Sequence, residues 1–186
     1  MLNITKTVFL AALCAVSVLA GAQNAAPQSF DIPGHGQLQL AVPGGWQVEV
    51  DQQAAQLPVT LDFSPRAGAP FHVMLTALWP APPDTALPDL ASVREKVAQA
   101  AKAAQSQAVE NPVLVKPLSG ASNQGYYFTA TDRTPKPGEF KYLTQGMIQV
   151  GSVDVAFSVL TNDGQDSVIK AALEVLRTAA YKAPSK

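Results

Sequence analysis

The sequence predicts a single α+β domain built on a mainly antiparallel sheet, and three observations predict it. Apolar residues alternate with polar ones in most of eight short segments bounded by Gly, Pro, Asn or Ser. Two other segments repeat their apolar residues at three-and-four spacing, the period of a helix with one buried face. The strands follow one another through short turns instead of alternating strictly with helices, which favours hairpins over parallel crossovers.

Taken in order, Leu38, Leu40 and Val42 alternate with Gln37, Gln39 and Ala41. Pro43-Gly44-Gly45 then turns the chain into Trp46, Val48 and Val50, so the two runs form a hairpin. A third strand is expected over 57–63, with Leu57, Val59, Leu61 and Phe63 on one face. After the turn Ser64–Pro70, the run Phe71–Trp79 is apolar at both parities, as in a strand covered on both sides. Pro80, Pro82, Pro83 and Pro88 prohibit regular structure up to Asp89. The stripe Leu90, Val93, Val97, Ala101, Ala104 and Ala108 then predicts a helix, stopped at Asn111-Pro112. Its many alanines allow close approach to a sheet.

Four more strands are expected at 113–118, 125–131, 140–150 and 153–160, the last two joined at Gly151-Ser152. The polar run 161–166 supplies caps for a closing helix that carries Val168, Ile169, Leu173, Leu176 and Ala180. Tyr126 and Tyr127 should point to opposite faces of their strand.

The amino-terminal end reads differently. Lys6 precedes an apolar run of about 15 residues, shorter than the roughly 20 needed to span a bilayer. Ala20-Gly21-Ala22 then offers a small-x-small cleavage site before Gln23. Residues 1–22 are therefore expected to be a signal peptide, 23–37 a spacer, 38–181 the domain and 182–186 a tail. Cys14 follows the bulky Leu13, which does not suit a lipid-attachment site, so no stable membrane anchor is expected after cleavage. Removing 22 of the 186 residues leaves 164 without a cysteine, which excludes disulfides, thiolate nucleophiles and Cys-ligated zinc in the mature chain. Lack of disulfides in an exported chain points to a periplasmic or secreted bacterial protein. Thirteen basic and 14 acidic residues give no basic excess, so no nucleic-acid partner is expected.

The stretch Leu40-Ala41-Val42-Pro43-Gly44-Gly45-Trp46 resembles the apolar-x-x-Pro-x-Gly/Asp-Trp opening of PsbP-like and DcrB-like domains. The stretch Val150-Gly151-Ser152-Val153-Asp154-Val155-Ala156-Phe157-Ser158, running through a polar turn into a closing helix, is similar to their ending. The resemblance covers 38–181 and implies an α/β/α sandwich with helices on both faces of a central antiparallel sheet. It also implies a non-enzymatic role. It carries over no functional residue, and fold alone does not give function.

Reactive groups are few. His35 and Asp31 share a Gly/Pro loop but make only two of the three protein ligands that catalytic zinc uses. His72 lies in the strand 71–79 beside Met74 and Thr76; it would need a nucleophile and an orienting carboxylate from elsewhere to act as a base. No Gly-x-Ser-x-Gly elbow, phosphate-binding glycine loop or calcium loop occurs, since 162–166 has the wrong spacing. No catalytic residue, metal site or cofactor is assigned. Partner contact falls instead to Trp79, at a strand end, and to Arg133 and Lys136 in the Pro-restrained loop 132–139. The expected role is an exported, non-enzymatic module that binds a ligand or another envelope protein. The alternatives are a small hydrolase or metal-dependent enzyme, and a carrier with a pocket between sheet and Ala-rich helix.

Overall fold

The computed structural model describes residues 25–52, 54, 57–80 and 86–184. The leader proposed over 1–22 lies outside them. Among the described residues no helix is long and apolar enough to cross a membrane.

Ten strands and two helices follow in the order β1 (Ala26–Asp31), β2 (Gln37–Val42), β3 (Trp46–Asp51), β4 (Thr60–Pro65), β5 (His72–Leu78), α1 (Leu90–Ala104), β6 (Lys116–Ser119), β7 (Gln124–Thr131), β8 (Tyr142–Val150), β9 (Val153–Thr161), α2 (Asp166–Thr178) and β10 (Ala180–Lys182). They form two antiparallel sheets, a seven-stranded one ordered β3-β4-β5-β9-β8-β7-β6 and a three-stranded one ordered β1-β2-β10. In the large sheet β3 to β5 form one meander. The 79–115 connection, with α1, carries the chain to the far edge, and β6 to β9 return as a second meander until β9 pairs with β5 from His72↔Leu160 to Leu78↔Asp154.

Strand periodicity sets the layers. Val59, Leu61, Phe63, Val73, Leu75, Phe157 and Val159 face one side of the large sheet and are at most 3 % exposed. Across from them lie Ile32, Leu38, Leu40 and Val42 of the small sheet with Ala172, Leu173, Val175 and Leu176 of α2, in one continuous core. Phe30 of β1 meets Phe63 edge-on at 6.0 Å, and Trp46 and Phe71 close the end at 5.2 Å. On the opposite side α1 buries Val97 and Ala101 against Phe128 and Ala130 in a second, smaller cluster.

An α/β/α sandwich is therefore not the fold of this chain. Among the described residues the protein is mostly β, with two antiparallel sheets and only two helices. Residues 26–31, read as spacer, are β1, and the chain after Ala179 leaves the helix in an extended conformation to form β10. These two short segments pair on either side of β2 and take the place expected of a helical layer. On the other face α1 sits on β7 and β8. Thr60, Asp62, His72, Met74 and Ser158, on the strands beyond it, are half-exposed.

Other differences are local. The third strand starts at Thr60, because Leu57, expected on its buried face, is 45 % exposed. The helix α1 stops at Ala104, four residues short of Ala108, which instead bridges to Asp132. Tyr126 and Tyr127 do take opposite faces, one against each apolar cluster.

Polar ties fix the helices. Asp89 caps α1 by accepting from the Ser92 amide at 2.7 Å, and that bond holds its carboxyl below the ordinary range. The run 161–166 does not cap α2 as expected, for Gln165 occupies the cap position without a side-chain cap bond. Its amide instead accepts from the Asn162 N–H and donates to the carbonyls of Ala69 and Pro70, joining two turns that are distant in sequence. Asp163 takes the Tyr142 hydroxyl and the Lys141 ammonium, which lower its carboxyl pKa in that order.

The carboxyl end of α2 is closed from 53 residues away. Asn123, 2 % exposed, donates to the carbonyls of Leu176, Arg177 and Ala179 at 3.1, 3.2 and 2.7 Å. Gly120 passes so close that a Cβ there would lie 2.0 Å from the Arg177 oxygen. Asn123→Ala should cost about 2–3 kcal/mol in urea unfolding, because it strands buried carbonyls, while the exposed Ser122→Ala should stay within about 0.5 kcal/mol.

Candidate functional site

One end of the large sheet concentrates the features that can recognise another molecule. There β5 ends at Leu78, β8 turns into β9 through Gly151-Ser152, and β10 passes beneath. Gly151 has φ +59°, and a Cβ on it would lie 2.6 Å from the Tyr181 ring, so both the turn and the close approach require glycine. The Tyr181 hydroxyl donates to the His35 carbonyl at 2.7 Å. Gly36, at φ +90°, lets the chain pass the Lys182 carbonyl where a Cβ would collide. These contacts hold the 33–36 turn over the sheet end, and the His35 ring stacks on Trp79 with centroids 4.2 Å apart and planes 21° apart.

Trp79 stands between two clefts. One, about 550 Å³, runs past His35, Pro80, Leu87, Gly151 and Tyr181. The second, about 580 Å³, is bounded by Trp79, Leu87, Lys96, Met147 and Asp154. A third, about 550 Å³, opens on the other side of Gly151 against Asn123, Gln149 and Tyr181. These volumes fall within the about 300–1,000 Å³ typical of ligand sites.

Asp154 is the unusual group of the second cleft. It is only 4 % exposed, and burial raises its carboxyl pKa, against smaller opposing effects of the Gln149 hydrogen bond and the Lys96 charge. Gln149 Nε2 donates to Asp154 Oδ1 at 3.1 Å and to the Pro88 carbonyl at 2.8 Å, tying the approach to α1 onto the sheet. The two residues face each other across β8 and β9 because the Gly151-Ser152 turn sets that register. That register was available in the sequence as a lone acid in an apolar strand opposite a Gln. The alternation alone, however, assigned Asp154 to the less apolar face.

The other sequence candidates fall elsewhere. His72 Nδ1 lies 3.1 Å from Asp62 Oδ1, and its ring meets Phe140 edge-on at 5.6 Å. The pair is on the half-exposed side of β4 and β5, so the structure supplies the orienting carboxylate, while among the described residues His72 shows no hydrogen bond to a hydroxyl. Asp31 and His35 do not converge, for Asp31 accepts from Gln37 at 2.7 Å and His35 stacks on Trp79. Among the described residues no group of three His, Cys, Asp or Glu stands close enough to hold a metal ion.

The loop 132–139 is tied to the segment after α1 and carries an exposed lysine. Arg133 donates from its guanidinium to the Ala108 carbonyl at 2.6 Å and from its backbone to Gln107. The Lys136 amide donates to the Glu139 carboxylate, and its ammonium stands 3.8 Å from the same group. The carrier reading required a large pocket under the Ala-rich helix. The cavity between Ala104, Ala108 and Leu143, at the carboxyl end of that helix, holds about 130 Å³, below the about 300 Å³ of small ligand sites, whereas the cleft of about 580 Å³ meets the same helix at Lys96.

The chain matches no protein-family model, no curated protein and no solved structure.

The raised pKa of Asp154 gives a stability test. Between its ordinary value and the raised one, the folded chain holds a proton that the unfolded chain has released, so this residue makes stability fall as pH rises through that window. Asp154→Asn keeps an oxygen for Gln149 and removes the titration. Its melting temperature should equal the parent's at pH 3 and exceed it at pH 7, as read by thermal denaturation across that range.

Proposed function

We propose that this chain is an exported, non-enzymatic binding module of the bacterial envelope and that it engages its ligand or partner protein at the Trp79 end of the large sheet. The observation that carries this reading is a half-buried tryptophan, stacked on His35, that walls two clefts of about 550 and 580 Å³ at once. An aromatic side chain held rigid in this way contributes contact area at low entropic cost. Placement of the clefts on turns anchored by two sheets supports it further, because binding residues work best on loops held by a rigid scaffold. Export rests on the 1–22 leader. Kinship with PsbP-like and DcrB-like domains enters only through the segments 40–46 and 150–158.

Photo-reactive amino acids placed at Ser152 or Leu87 in the full chain, expressed in its own envelope, should yield a discrete mass adduct. The same group at Lys170, exposed on α2 away from the clefts, should not. Equal adducts at all three positions, or adducts at Lys170 alone, would place the contact elsewhere.

A further inference from the structure

We propose that the cleft between Trp79 and Asp154 takes a small apolar zwitterion, a free amino acid with a large apolar side chain. Its ammonium would sit on Asp154, its carboxylate on Lys96 and its side chain against Trp79, Leu87 and Met147. This rests on the reading of the Trp79 end as a binding surface and adds the class of ligand.

Asp154 is 4 % exposed, yet it lines a cleft of about 580 Å³. A buried carboxylate needs charged or multiple donors to offset lost hydration. Here Oδ1 has one neutral donor, Gln149, and Oδ2 has none among the described residues. Among the described residues Asp154 thus lines the cleft with acceptor capacity that no hydrogen bond uses.

Lys96 supplies the complementary half. It lies on the same cleft and acts on Asp154 through its charge, but the two make no ion pair within 4.0 Å among the described residues. Opposite charges that share a cleft without touching suit a ligand that carries both signs. The remaining wall is apolar, formed by Trp79, Pro80, Leu87 and Met147. Selectivity follows from repulsion as well as attraction, for a simple amine meets the Lys96 charge and a simple acid meets Asp154.

Isothermal titration of the purified full chain with L-phenylalanine, phenethylamine and 3-phenylpropionate tests this directly. Phenylalanine should bind saturably, and each single-charge analogue should bind at least about tenfold more weakly. Lys96→Met lies on an exposed helix position and leaves folding intact; it should weaken phenylalanine about tenfold and improve phenethylamine relative to it. Asp154→Asn should weaken phenylalanine similarly and improve 3-phenylpropionate relative to it, a reversal that a merely structural role would not produce.

No saturable heat up to about 10 mM phenylalanine would overturn the proposal. So would phenylalanine binding that both variants leave unchanged, or phenethylamine binding as tightly as phenylalanine. Cross-links at Ser152 or Leu87 alongside any of those results would leave the Trp79 surface standing and remove only the zwitterion. Their absence would remove the surface as well.

Discussion

The apolar seam between β2 and the large sheet is the contact on which the rest of the molecule depends. Leu38, Leu40 and Val42 are 1–2 % exposed, and they share one core with Leu61, Phe63, Val73 and Leu75, which are just as deeply buried. Burying such side chains is worth about 1.5–3 kcal/mol each before the entropy of ordering the chain is subtracted. The strand is paired along its whole length by β1 on one side and over Gln37 to Gln39 by β10 on the other. Because β2 is pinned there, the turn before it overhangs the sheet end, and the stacking of His35 on Trp79 follows from that placement.

Long-range polar contacts make the two meanders act as one body. Asn123 closes α2 from the β6–β7 connection, Gln165 ties the start of α2 to the β4–β5 turn, and Gln149 joins the β8–β9 hairpin to the approach of α1. Each joins segments more than 50 residues apart and leaves few backbone groups unpaired at the ends of elements. The wall of the first cleft formed by His35, Gly151, Ser152 and Tyr181 is thus held in place by the two sheets.

Much of the large sheet was legible in the sequence because its strands have one clearly apolar parity, and β9 with Val153, Val155, Phe157 and Val159 is the clearest case. What was not legible has physical causes. In β1 the run Ala-Pro-Gln-Ser-Phe-Asp has no alternation to betray a strand, since it is an edge that buries little and is specified by its pairing with β2. In β10 three residues after a helix are too few for any period to show. Missing both left the small sheet out of the expected fold, while the helical sandwich came from the resemblance to PsbP-like and DcrB-like domains and is not the fold of this chain.

The candidate site divides in the same way. Trp79 was singled out at a strand end from the sequence, but His35, read as part of a Gly/Pro loop, became its stacking partner only through the fold. Arg133 and Lys136 were chosen for charge in a Pro-rich loop; Arg133 bonds to Ala108 and Gln107 outside that loop, while the Lys136 amide bonds to Glu139 within it. Asp154 depended on which side of β9 faced a cleft, a matter of how far α1 reaches across the sheet.

Amide hydrogen exchange followed residue by residue tests the central seam most directly. If β2 packs as the middle strand of a second layer, the amides of Leu38 to Ala41 should exchange as slowly as those of Val155 to Val159 and by the same global opening. Loop-like exchange at Leu38 to Ala41, with Val155 to Val159 still protected, would show that the large sheet stands without the small one and contradict this account.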